Sequence, residues 1–188
     1  VSFRYPHASE DELSNISFKI EKGQTLAIIG ATGSGKTTLI SLIPRFYDAT
    51  EGEVLVDGVN VKNYKFDTLY DKLGYVTQKA VLFAGSIREN VFFGESAAPE
   101  SDEELKNAIE LSQAEEFVDK LPDGTEHMIS QMGRNVSGGQ KQRLSISRAL
   151  SRKPEILVFD DSFSALDYKT DAKLREGLNE KLGDTTKI

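Results

Sequence analysis

Cysteine and tryptophan are both absent from the 188 residues. No disulfide can staple the fold and no thiolate can hold a metal, a composition that fits a reducing compartment. No stretch of about 18 apolar residues occurs, so nothing in the sequence reads as a membrane-spanning helix, and no signal peptide opens it. Basic residues are in the minority: 23 Lys and Arg stand against 30 Asp and Glu, a net charge of −7. A field of that sign repels phosphate backbones, which makes nucleic acid a poor first partner. Repeats and low-complexity segments are also missing.

What is present is an ordinary globular balance, 38% hydrophobic and 28% charged, in a chain long enough for one buried core, alone or with a small subdomain. Residues 1–5 already read as a strand and Lys187-Ile188 as the start of an apolar run, so the sequence is expected to be a piece of a longer one. Residues 15–20 alternate as a half-buried strand, and residues 25–29 form a short apolar run of the buried-strand kind. A glycine-rich loop and a helix follow. Residues 52–56 lead into an Asp57-Gly58 turn, and residues 73–77 read as another strand. From about residue 86 to 152 the pattern is helical, with Ser101 as an N-cap before an acidic first turn. Residues 155–159 form a second buried-type strand ending at Asp160-Asp161, and residues 168–182 an amphipathic helix. Strands alternating with helices predict an α/β core with a largely parallel sheet, joined by antiparallel strands near the N-terminus.

The strongest chemical signal is Gly30-Ala31-Thr32-Gly33-Ser34-Gly35-Lys36-Thr37, followed by Thr38. It matches G-x-x-x-x-G-K-[ST] between a predicted strand and a predicted helix, the context a phosphate-binding P-loop requires. Glycines let successive N–H groups turn toward phosphate oxygens, Lys36 can reach the β- and γ-phosphates, and the Thr37 hydroxyl suits Mg²⁺. A triphosphate with magnesium also needs a carboxylate at the end of a neighbouring buried strand. Asp160, after Ile156-Leu157-Val158-Phe159, supplies one. A third segment, Val136-Ser137-Gly138-Gly139-Gln140, is a Ser-Gly-Gly turn opening a helix, a second candidate anion site.

With that segment the chain resembles the ABC ATPase family, whose signature is Leu-Ser-Gly-Gly-Gln, with Val136 in place of the leucine. The resemblance implies a P-loop NTPase core of mostly parallel sheet flanked by helices, an N-terminal antiparallel β subdomain and an inserted helical subdomain. On that division residues 1–85 and 153–188 form the ATPase core and residues 86–152 the helical part. ATP and Mg²⁺ are the implied ligands, with Thr37, Gln78 and Asp160 at the metal. Tyr5 falls where the family stacks a ring on adenine, and Gln78 where it touches the metal or the attacking water. Ser137, Gly138, Gly139 and Gln140 would face ATP held by a second ATP-binding domain, the two closing head-to-tail, with Ser164-Ala165-Leu166-Asp167 at the interface between them. The segment Phe83-Ala84-Gly85-Ser86-Ile87-Arg88-Glu89-Asn90-Val91 resembles exporters in particular. It implies transmembrane domains as partners, at the cytoplasmic face of a membrane.

Two departures from the family pattern bear on function. Active members carry Glu after the strand-end aspartate as general base; here Asp161 stands there, one carbon–carbon bond (roughly 1.5 Å) shorter, so hydrolysis is expected to be slow. In similar exporters this replacement marks one site of a heterodimer. The family's switch histidine lies beyond the Ser164 to Asp167 segment, whereas His7 and His127 both precede Asp160. Its position is therefore expected after Ile188. A regulatory module that holds ATP without turnover is an alternative that Asp161 favours. A DNA-repair or chromosome-organising ATPase would share the Ser-Gly-Gly-Gln chemistry, but the acidic charge and the lack of coiled-coil heptads oppose it.

Overall fold

The computed structural model describes residues 1–188. In chain order its elements are helix α1 (Lys36–Ser41), strands β1 (Leu55–Val56) and β2 (Val59–Asn60), helix α2 (Phe66–Asp71), and strands β3 (Leu73–Val76) and β4 (Gly85–Ser86). Helices α3 (Ile87–Val91), α4 (Asp102–Leu111) and α5 (Glu115–Val118) follow, then strand β5 (Met128–Ile129) and helix α6 (Gly138–Ser151). Strand β6 (Ile156–Phe159), helix α7 (Tyr168–Lys181) and strand β7 (Thr186–Lys187) complete the chain.

Strands β3, β6 and β7 form one parallel sheet in that order. Its longest ladder pairs Leu73 with Ile156 through to Val76 with Phe159. Antiparallel pairing is confined to two short pairs, β1 with β2 and β4 with β5, and to isolated bridges such as Ser2 to Glu51 and Phe3 to Leu13. The first pair is a hairpin whose two loop residues, Asp57 and Gly58, have φ of 51° and 74°. That is the left-handed geometry a tight Asp-Gly turn provides.

Helix starts follow their caps. The Ser101 side chain accepts from Glu104 N ahead of three acidic residues in the first turn of α4. Ser86 and Ser137 open α3 and α6 with reciprocal capping boxes to Glu89 and Gln140. Each box satisfies two backbone donors that a helix end otherwise leaves open.

One core of 19 buried residues joins the sheet to the helices. Val76 and Leu157 from the sheet meet Leu144 and Ile146 of α6, Leu105 of α4 and Leu174 of α7. This apolar contact runs across positions 85/86 and 152/153, so α6 packs directly on the strands. Gly74 marks how close the approach is. A Cβ there would lie 2.8 Å from Leu157 Cδ2, 2.9 Å from Pro154 Cγ and 3.0 Å from the Ala149 carbonyl oxygen. A smaller cluster of Phe3, Leu13, Leu42 and Ala49 seats the N-terminal segments. No helix is long and apolar enough to cross a membrane.

Three sequence expectations do not hold. Residues 1–5 form no strand and pair only through isolated bridges at Ser2 and Phe3. Residues 15–20 form no strand, and Phe18 is 54% exposed. What holds this segment is the exchange of backbone bonds between Val1 and Ile16, not a ladder. Residues 25–29 run extended but pair only through a Thr25 to Lys187 bridge, flanked by Leu26 N to Lys187 O at 2.8 Å. Ile29 is 94% exposed. Apolar alternation reports which side chains seek cover. It does not report whether a pairing partner lies alongside.

Leu144 is fully buried where α6 meets the sheet. Leu144→Ala is expected to cost about 2–5 kcal/mol, measured as a lower urea midpoint with an unchanged m-value.

Candidate functional site

The loop between the extended segment at 25–29 and α1 turns through Gly33 at φ 79° and Gly35 at φ 81°. Side chains rarely tolerate that region, and a Cβ on Gly35 would also come within 2.8 Å of Leu13 Cδ2. Lys36 folds back over the loop, its Nζ donating to the carbonyl oxygens of Gly30 and Ala31, each at 2.8 Å. Thr38 is buried at the base of the loop and shares a 2.8 Å hydroxyl–hydroxyl bond with Tyr5. The Tyr5 ring stands edge-on to both Phe3 and Tyr47.

The neighbouring residue, Thr37, reaches across the fold. Its Oγ1 donates to Asp160 Oδ1 at 2.8 Å, joining positions 123 residues apart. Asp160 leaves the end of β6, and its own amide donates to the Val76 carbonyl at 2.9 Å. Asp161 follows with φ 47°, a left-handed conformation that aspartate accepts more readily than most residues. Its Oδ2 accepts from Gln78 Nε2 at 3.0 Å. Ser162, 1% exposed, anchors the turn by donating to Val76 O at 2.8 Å. The register places both polar pairs together. Val76 pairs with Phe159, so the residues just after each strand emerge side by side at the carboxyl edge of a parallel sheet, where ligands of open α/β sheets bind. Burial, with a smaller contribution from the negative charge of Asp160, pushes the Tyr75 phenol well above its usual range. Burial draws the Lys187 ammonium below its usual value; it donates to the carbonyls of Leu182 and Thr185.

These groups border a cleft of about 750 Å³. Gly30, Thr32, Gly33, Ser34, Gly35, Lys36, Thr37, Thr38, Gln78, Asp160 and Asp161 all line it. Tyr5 and Ala31 do not, although each bonds to a residue that does. Ser137, Gly138, Gly139 and Gln140 lie elsewhere, at the start of α6. There Gly139 faces the Ala165 carbonyl, which a Cβ would approach to 3.1 Å. Phe163, Arg175 and Asn179 also line the cleft. Arg175 stacks over the Phe163 ring at 4.2 Å. Sequence reasoning passed over Arg175 and Asn179 because α7 carries no motif, and over Phe163 because a ring in the turn after β6 has no local mark of what it faces.

The donor set fits a hard divalent cation. Thr37 and Asp160 offer a hydroxyl and a carboxylate oxygen at one point, and no trio of His, Cys, Asp or Glu converges. Magnesium bound this way takes few protein oxygens and completes its shell with water and substrate phosphate.

Comparison with known proteins agrees with this geometry. The sequence model described as "ABC transporter" matches residues 13–164. An uncharacterized ABC transporter ATP-binding protein of Bacillus subtilis, YfiB, is 48% identical over 95% of this chain and 31% of its own length. A putative multidrug export ATP-binding/permease protein of Staphylococcus aureus is 40% identical over all of this chain and 32% of its own. Among solved structures, a bacterial Atm1-family ABC exporter with ATP bound superposes with a TM-score of 0.92 at 34% identity, covering 100% of this chain and 33% of that one. The chain thus spans about a third of the length of these relatives. With the family's pattern running through the loop, both strand ends and the start of α6, this chain belongs to the ABC transporter family, as its ATP-binding domain.

Proposed function

We propose that this domain binds MgATP and hydrolyses it to drive the membrane-spanning part of an exporter. The observation that carries the reading is the 2.8 Å Thr37–Asp160 bond beside Lys36, which brings a phosphate loop and a strand-end carboxylate to one point. On this reading amides of residues 30–38 and the Lys36 ammonium bind the phosphates, and Tyr5 stacks on adenine. Thr37, Asp160 and Gln78 would hold the magnesium ion, which when bound neutralises phosphate charge. Ser137, Gly138, Gly139 and Gln140 lie outside the cleft, as expected if they serve ATP held by a second ATP-binding domain in a head-to-tail pair. Residues 86–152 would act as the helical subdomain on a core of residues 1–85 and 153–188, working at the cytoplasmic face of a membrane.

Asp161 is assigned as the base that polarises the attacking water. Its Oδ2 already accepts from Gln78, which leaves Oδ1 for a water. Because the side chain is one bond shorter than Glu, turnover at this site is slow, and a heterodimer whose other member carries Glu is the favoured arrangement. The same residue favours a second reading, a regulatory site that holds ATP without hydrolysing it.

Lys36→Ala is expected to weaken MgATP binding by about 10- to 150-fold, the worth of a hydrogen bond to a charged group. Isothermal titration checks this, and an unchanged affinity would remove the P-loop assignment. Asp161→Glu in the full-length protein is expected to raise ATP turnover at least tenfold, toward the ~10²–10⁴ that a positioned base contributes. A steady-state phosphate-release assay showing less than about a twofold gain would favour the regulatory reading.

A further inference from the structure

Gln78 sits on the loop of residues 77–83, which carries the chain from the end of β3 toward β4 and α3. Three side chains from elsewhere hold that loop. Gln142 of α6 donates from Nε2 to the Thr77 carbonyl at 3.2 Å. Arg148, also on α6, donates to the Val81 carbonyl at 2.9 Å. Asn90 both accepts from Phe83 N and donates to Phe83 O, each at 2.9 Å. Within the loop Thr77 Oγ1 closes a turn onto Lys79 O at 2.9 Å. The exposed Gln78 therefore stands between pinned carbonyls, and its own amide is left to meet Asp161.

Gln142 is the most buried member of this set on α6, 2% exposed. A primary amide buried without a partner is strongly disfavoured, so its burial is tolerable because the Thr77 carbonyl receives it. That carbonyl belongs to the residue directly before Gln78. Rotation of the peptide between them would swing the Gln78 side chain away from Asp161 Oδ2.

We propose that Gln142 is a positioning residue for hydrolysis, setting the direction in which Gln78 leaves β3 by holding the Thr77 carbonyl from α6. The inference rests on the proposed ATPase function. It touches no nucleotide and acts only through Gln78. Loss of the amide should therefore lower kcat far more than it weakens MgATP binding, for which Lys36, Thr37 and Asp160 stay in place, since reactive geometry is far more sensitive to small displacements than binding is.

The test is a double-mutant cycle in the full-length protein, comparing Gln142→Met, which keeps the length of the side chain and removes the donor, with Gln78→Ala and the double variant. The expected result is a roughly tenfold lower kcat for Gln142→Met, KM for MgATP within about twofold of wild type, and a double variant no slower than Gln78→Ala. Multiplying effects in the double variant would assign Gln142 a purely structural role and overturn the inference. So would wild-type turnover in Gln142→Met, or no effect of Gln78→Ala. A wild-type protein that binds MgATP but never hydrolyses it would instead strike the proposed ATPase function, and this inference with it.

Discussion

Four rungs of parallel ladder, Leu73 to Val76 against Ile156 to Phe159, determine where Gln78, Asp160 and Asp161 land in the cleft. Parallel strands deliver their carboxyl ends to the same edge, so the residues that follow them are neighbours without further arrangement. Gln78 and the Asp160-Asp161 pair are such residues. The ladder is itself held by α6 from one face, and Gly74 is the position that permits the approach. A shift of one residue in this register would turn Asp160 to the other face and break its bond to Thr37.

The P-loop, the strand before Asp160, β3, the α4 cap and α7 were legible in the sequence because each is written in a short local code: a motif, an apolar run, or a cap at fixed spacing. Residues 15–20 and 25–29 were not. Their apolar patterning is real, yet a strand is completed by a ladder of hydrogen bonds to a neighbour, and here Ile16 exchanges bonds with Val1 while Thr25 and Leu26 meet Lys187. The cleft divides along the same line. Lys36, Thr37 and Asp160 announce themselves by pattern, whereas Gln142, Arg175 and Phe163 matter through contacts that no periodicity encodes. Gln142 carries a faint signal, since an amide on the side of α6 that turns inward must find a partner, but the sequence does not say which carbonyl.

At the start of α6 the atoms proposed to meet a nucleotide are already used in helix capping. Ser137 Oγ accepts from Gln140 N at 3.3 Å, and Gln140 Oε1 accepts from Ser137 N at 2.8 Å. The segment is thus a rigid, self-satisfied turn whose stability does not require a ligand. Gly138, with nothing within 4 Å of the place a Cβ would occupy, is the open side of that turn. A surface of this kind can present backbone N–H groups to an anion without first folding around it, which lowers the ordering cost of association.

The P-loop shows the opposite economy. Lys36 gives two of its three ammonium N–H groups to carbonyls of its own loop at 2.8 Å, so a phosphate oxygen that takes more than the third competes with existing bonds. The net gain is the difference between a charge-assisted bond to an anion and bonds to neutral carbonyls, roughly twofold in strength by type. On the proposed reading, affinity depends on the curvature of the loop, which Gly33 and Gly35 hold with φ of 79° and 81°.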